Sequence, residues 1–290
     1  MIKLIATDMD GTLLNAAHEI SEENIQAIEY AQSQGISVVI ATGRAFYEAN
    51  SPVNQTDLKV PYICLNGAEV RDESFNIMST SKLNRELINR ITAVMDEEDI
   101  YYQVYTNLGI YTENPDRDLE IYIDIAEHAG QAADVEKIKA GIQKRIDNGT
   151  LKVVDNYDKI EDTPGEIVMK ILAFDSDLEK INRASEKLAE SESLAISSSS
   201  RGNIEITHSD AQKGIALETI AERLNIDMKD VMAIGDNLND LSMLERVGYS
   251  VAMDNATPEV KAVAKHLTDT NEQNGVGKAI MKLLKENNEI

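Results

Sequence analysis

The chain has 290 residues, 42% hydrophobic and 27% charged, and its formal charge of −23 comes from 51 acidic against 28 basic side chains. That balance excludes general binding to nucleic acid or to an anionic membrane surface. No apolar stretch reaches the ~18 residues of a membrane span and no signal-peptide pattern opens the chain. Cys64 is the single cysteine, which excludes an intrachain disulfide and makes the cytoplasm the expected setting.

The first element is the apolar run from Ile2 to Thr7, which reads as a buried strand. It stops at Asp8-Met9-Asp10-Gly11-Thr12. If extended geometry persists that far, Asp8 and Asp10 point to one side. One carboxylate could then attack an ester or phosphoryl centre while the other moves protons. Gly11 allows a tight exit, and Thr12 can cap the next element. The competing reading is a plain surface turn, since Asp and Gly suit turns. A helix is expected from Ser21, as N-cap, to Gly35, as stop. The strand Ser37 to Ala41 leads into Thr42-Gly43-Arg44, at a carboxyl end where parallel α/β sheets bind ligands. The Thr42 hydroxyl and the amide after it suit a phosphate oxygen, with a turn as the alternative. Tyr62 to Leu65 is a further strand, and Cys64 within it reads as a buried structural thiol. Strands alternating with helices in this way predict βαβ units in a doubly wound parallel sheet.

The middle of the chain has a different grammar. A helix is expected over Glu86 to Glu97, with the acidic run Asp96 to Asp99 as its solvated end, then a tyrosine-rich hairpin from Tyr101 to Thr112. Helices come next near Leu119 to His128 and Val135 to Asn148. Strands at Ile167 to Phe174, Leu194 to Ser199 and Asn203 to Thr207 surround a helix from Ser176 to Glu190. Tyr101, Tyr102, Tyr105 and Tyr111 read as sheet packing. This order predicts an inserted α+β domain over 82–208, between core segments 1–81 and 209–290.

The parallel pattern then returns. Lys213 opens a helix from Gly214 to Leu224, and the strand Val231 to Gly235 runs into Asp236-Asn237-Leu238-Asn239-Asp240. Short strands at Tyr249 to Met253 and His266 to Thr268 precede a helix from Val276 to Lys285. If the first and last parts share a sheet, Asp8, Asp10, Asp236 and Asp240 gather at one edge. Two like charges ~4 Å apart cost about 4 kcal/mol at an effective dielectric near 20. A hard divalent cation with oxygen ligands, typically Mg²⁺, would resolve that repulsion. Lys213 could hold Asp8 in position, bind a phosphate and supply the local positive potential that the net charge denies. His18 and His208 have no second His or Cys at ligand spacing and read as surface or turn residues.

Taken in order, DMDGT, ATGR, the lysine of QKG and GDNLND resemble the four motifs of the haloacid dehalogenase superfamily of aspartate-nucleophile phosphatases. The insertion after the second motif resembles the large α/β cap of the Cof-type subgroup, mainly by length and element order. Similar wording extends to Asn66-Gly67-Ala68, Val251-Ala252-Met253 with Asn255-Ala256, and Asn271 with Asn274-Gly275-Val276. The resemblance implies that Asp8 attacks phosphorus and becomes an aspartyl phosphate, while Asp10 protonates the leaving oxygen and then activates water. It implies Mg²⁺ on the Asp8 carboxylate, the Asp10 carbonyl and Asp236. It surrounds the phosphoryl group with Met9, Thr42, Gly43, Lys213 and Asn239, and gives supporting places to Asp240, Asn237, Arg44 and Asn66. The expected substrate is a small phosphorylated metabolite, sugar phosphates first and cofactor phosphates second. A phosphotransferase or mutase on the same scaffold, and a phospho-aspartate signalling receiver, are the alternatives. The sequence sets no oligomeric state.

Overall fold

The computed structural model describes residues 1–128, 134–157, 160, 163–199 and 202–288. The chain divides into two compact units, Met1–Ser81 with Asp210–Ile290, and Lys82–Ser209.

The discontinuous unit is built on an eight-stranded sheet. Its central strands are β1 (Leu4–Thr7), β2 (Ser37–Ala41) and β12 (Val231–Gly235), flanked by β3 (Tyr62–Cys64), β13 (Tyr249–Ala252) and β14 (His266–Leu267). All of these pair in parallel. β1 and β12 are buried along their whole length, which is why they read as continuous apolar runs instead of alternating ones. The expected first helix forms over Glu22–Ser33, where the Ser21 hydroxyl accepts from the Asn24 amide at 3.3 Å. Just beyond its end, Gly35 takes a left-handed φ of 79° that other residues resist.

An antiparallel extension, β4 (Glu69–Arg71) and β5 (Ile77–Thr80), is a feature the sequence pattern did not predict. It completes the strand order β14-β13-β12-β1-β2-β3-β4-β5. β5 is exposed at three of its four residues, so no apolar face marks it. The helices Phe46–Val53 and Pro258–Val263 also went unpredicted, the first because Pro52 interrupts its pattern, the second because it is six residues long.

The inserted unit carries a six-stranded sheet made of β6 (Tyr101–Thr106), β7 (Gly109–Thr112), β8 (Leu151–Val153), β9 (Val168–Phe174), β10 (Leu194–Ser197) and β11 (Asn203–His208). Their spatial order is β10-β11-β9-β6-β7-β8. The pairing is antiparallel except between β7 and β8. Val104, Ile171, Ala173, Ile204 and Ile206 form a core with Leu87, Ile91 and Met95 of the helix Arg85–Glu98 and with Ile181, Ala184 and Leu188 of the helix Leu178–Ala189. Alternate residues are polar yet buried: Lys170 pairs with Glu205 at 3.0 Å, and Asp118 accepts from Gln103 at 2.7 Å.

Three details differ from expectation here. The helix expected from Leu119 begins at Pro115, whose fixed φ suits the first helical position. The acidic run is not a simple solvated end: Glu98 ion-pairs with Arg183 at 2.9 Å and Lys187 at 2.6 Å of the neighbouring helix. β8, three residues long, had no readable pattern.

Candidate active site

Because β12, β1 and β2 are neighbours, the segments after them share one edge of the sheet at adjacent carboxyl ends. The ladder continues one residue past β1, with the Asp8 amide donating to the Ile234 carbonyl at 3.0 Å. The chain then leaves the sheet in one wide turn, closed by the Leu14 amide on the Met9 carbonyl at 2.9 Å. Gly11 sits in this turn at φ 75°, and a Cβ there would collide with the Asp236 carboxylate. Glycine is thus required twice over, by conformation and by space.

The unbroken strand geometry on which the sequence reading of Asp8 and Asp10 depended is not present. Extended geometry ends at Asp8, which is buried, while the Asp10 side chain remains 49% exposed and faces other partners. Thr12 is corrected as well: it is no helix cap, and its hydroxyl donates to Asp236 Oδ1 at 2.9 Å.

Lys213 is the first residue of the helix Lys213–Arg223 and is fully buried. Its Nζ donates to Asp8 Oδ1 at 2.6 Å and to Asp240 Oδ1 at 2.7 Å. Asp240 Oδ2 accepts from the amides of Asp236 and Asn237 at 2.9 and 3.1 Å, so both its oxygens are engaged. Asn237 caps the same loop by accepting from the Leu238 amide at 2.8 Å. Carboxylate oxygens of Asp8, Asp236 and Asp240 lie within 4.8 Å of one another.

Three carboxylates therefore face one ammonium. Burial, then the Asp240 charge, pushes Asp8 well above the carboxylate range, against the opposing pull of Lys213. Burial and the Asp240 charge also push Asp236 up to about 7, although the Thr12 hydroxyl bond acts the other way. Burial alone would lower the Lys213 pKa, but Asp240 and Asp8 outweigh it and hold the ammonium charged. The excess negative charge and the all-oxygen donor set fit a small divalent cation. With Asp240 already occupied by Lys213 and two amides, Asp8 and Asp236 are the carboxylates left to hold it.

The phosphate-binding candidates also collect here. Thr42 is buried, its amide donates to the Ile63 carbonyl at 2.8 Å, and its hydroxyl accepts from the Arg44 amide at 3.1 Å. That leaves the hydroxyl proton to donate elsewhere. Gly43 lies in the same exit from β2. Asn66, in left-handed conformation at φ 57°, donates its amide to the Thr42 carbonyl at 3.0 Å. The Asn239 side-chain amide donates to Asn66 Oδ1 at 3.3 Å, while its own carbonyl oxygen is buried with no partner among the described residues.

Arg44 grips Asp10 with both ends of its fork, Nε on Oδ2 at 2.7 Å and Nη2 on Oδ1 at 2.5 Å. Burial would lower the arginine pKa, but the Asp10 bonds and charge raise it instead. His18, set aside on sequence, lies beside this pair, with Nδ1 3.4 Å from Arg44 Nη2 and 4.0 Å from Asp10 Oδ1. Two residues that the sequence reading named without assigning a role prove to be braces. Asn255 donates to the Gly11 carbonyl at 2.7 Å, and Asn271 to the Leu14 carbonyl at 2.9 Å. The sequence marked both only through their resemblance to family wording, with no role attached.

Comparison with known proteins gives consistent findings. Residues 5–280 match the model of the haloacid dehalogenase-like hydrolases. The chain is 33% identical over 285 residues to Phosphatase YwpJ of Bacillus subtilis, across 98% of this chain and all of that protein. It is 34% identical over 284 residues to the 5-amino-6-(5-phospho-D-ribitylamino)uracil phosphatase YwtE of the same organism, covering 98% of each. Among solved structures, a haloacid dehalogenase-like hydrolase from B. subtilis superposes with a TM-score of 0.87 at 33% identity, over 97% of this chain and 99% of that one.

Proposed function

The chain belongs to the haloacid dehalogenase-like hydrolase family and is a phosphatase; from that premise we propose that it hydrolyses small phosphomonoesters through an aspartyl phosphate on Asp8, with Mg²⁺ as cofactor. The observation that carries this reading is the buried Lys213 bridging Asp8 and Asp240. It fixes one oxygen of Asp8 and so aims the other, as an in-line attack requires.

In the first step an Asp8 oxygen bonds to phosphorus, the bond to the leaving oxygen breaks, and Asp10 delivers a proton to that oxygen. In the second, water attacks phosphorus, gives its proton to Asp10, and the phosphorus–Asp8 bond breaks to release inorganic phosphate. Asp10 thus regains the proton it lost, and Asp8 its carboxylate. The Met9 amide, Thr42, Gly43, Lys213 and Asn239 would surround the phosphoryl oxygens. Asp8, the Asp10 carbonyl and Asp236 would hold Mg²⁺, which supplies charge neutralisation at the phosphoryl group. Asp240 and Asn237 hold the loop, and Asn66 steadies Thr42 and Asn239.

We place the choice of leaving group in the inserted unit, acting as a cap. Sugar phosphates are the first class of substrate proposed, because a phosphorylated ribityl chain is part of the substrate named for YwtE, with cofactor phosphates second. A panel of phosphate esters assayed for phosphate release tests this. Turnover that needs Mg²⁺ and vanishes in Asp8→Asn is expected. Absence of turnover across the panel, or preferential transfer to an added sugar, would replace hydrolysis with a different reading.

A further inference from the structure

Asp10 is asked to move a proton, yet its side chain is half exposed and stands at the mouth of an Asp-Gly turn. An unanchored carboxylate there would rotate freely and spend little time aimed at the leaving oxygen. What anchors it is Arg44. The guanidinium donates to both carboxylate oxygens, at 2.7 and 2.5 Å, a planar fork that fixes the carboxylate plane as well as its position. A carboxylate offers about four lone-pair sites, and this fork uses one on each oxygen. The remaining ones stay open for proton exchange.

Arg44 is itself held on several sides. Its amide donates to the Thr42 hydroxyl at 3.1 Å, and its carbonyl accepts from the Leu65 amide at 3.0 Å. Nη1 reaches the Glu48 carbonyl in the helix Phe46–Val53 at 3.5 Å, and the side chain is only 23% exposed. On its open side stands His18, with Nδ1 3.4 Å from Nη2. The loop that presents His18 is tied by Asn15, whose Oδ1 accepts from the amides of Ala17 and Glu19, both at 3.0 Å, and whose carbonyl accepts from the His18 amide at 2.9 Å. His18 adopts a left-handed φ of 58°, so the ring is delivered by a constrained turn.

We infer that Arg44 is a positioning residue for Asp10, that His18 braces the guanidinium, and that the two together set the orientation in which Asp10 serves the leaving group. The inference rests on the proposed acid/base role of Asp10. A phosphate-binding role for Arg44 would make it equally important for every ester. A positioning role makes it important in proportion to the leaving group's need for a proton. Alkoxides need one, whereas p-nitrophenolate leaves without it.

The test is first-turnover release of the alcohol with enzyme in excess, comparing p-nitrophenyl phosphate with the fastest alkyl phosphate of the ester panel. Thermal unfolding confirms that each variant is folded. Arg44→Ala and Arg44→Lys are both expected to slow alkyl ester cleavage by about 10- to 100-fold and the aryl ester by about 3-fold or less, with little change in KM. Lysine fails with alanine because a point charge cannot hold a carboxylate plane. His18→Gly, which keeps the left-handed turn, should show the same selectivity at about 3- to 5-fold. Equal losses on both esters, or full activity in Arg44→Lys, would overturn the positioning role. Asp10→Asn separates this failure from failure of the underlying reading. If that variant still cleaves the alkyl ester at the wild-type rate, Asp10 is not the proton donor and the whole inference falls. If it is inactive on the alkyl ester while Arg44→Ala spares it, only the positioning role is lost.

Discussion

Both units of this protein bury charge, but they do so in opposite ways. In the inserted unit Lys170 and Glu205 meet as an opposite-charge pair at 3.0 Å, each almost inaccessible to solvent. At the β12-β1-β2 edge of the other unit, Lys213 is the one ammonium, among the described residues, that answers the cluster of Asp8, Asp236 and Asp240. A balanced pair costs desolvation and returns it as attraction, which makes it part of the scaffold. An unbalanced cluster stays costly until something positive arrives. Burial first, and the Asp240 charge second, push Asp8 and Asp236 above the usual carboxylate value, and such strained carboxylates point to chemistry more than to architecture.

The largest expected effect breaks this contrast from the active-site side. Asp8→Asn should lower kcat by about 10⁴-fold, yet leave thermal stability unchanged or higher, because it removes one like charge from the cluster. Paired assays of turnover and thermal unfolding check this; loss of stability together with activity would put Asp8 in the scaffold class. Lys170→Met is the mirror experiment. It removes the buried ammonium that bonds Glu205 and should cost about 3 kcal/mol of unfolding free energy in denaturant titration.

The next effect is set by pH. In the metal-free protein Asp236 titrates near 7, above its ordinary value near 4. Between those limits the folded state binds a proton that the unfolded chain has released, so this group's contribution to stability falls as pH rises through that window. Mg²⁺ needs the ionised form and should therefore stabilise far more at pH 8 than at pH 5. A concentration 100-fold above Kd adds about 2.7 kcal/mol. Thermal shift with and without Mg²⁺ at the two pH values measures the difference, and an equal shift at both would contradict it. The smallest expected effect is Thr12→Val, which removes the hydroxyl bond to Asp236. It should move the midpoint of Mg²⁺ dependence upward by a fraction of a pH unit.

Much of this was legible in the sequence because the central strands of a parallel sheet are apolar on both faces, and polar residues directly after them stand out. Asp8, Thr42 and Asp236 were found in that way, and Lys213 by its place at a helix start. The antiparallel extension β4-β5 was not legible, since an exposed edge strand has no apolar face to show. The Arg44 fork and the approach of His18 were hidden for another reason. They bring together side chains from three separate segments, at residues 10, 18 and 44, and no local alternation or spacing rule reports such a meeting. Glu98 looked like a solvated helix end because its partners, Arg183 and Lys187, lie more than eighty residues away.

The central claim is that Asp8 becomes phosphorylated during turnover. Rapid acid quench of the enzyme with a good substrate, then peptide mass analysis, tests it most directly. The account predicts a transient phosphoryl adduct on the peptide containing Asp8, formed and lost at rates compatible with kcat. Steady turnover with no adduct at any time point, or an adduct on a different residue, would contradict it.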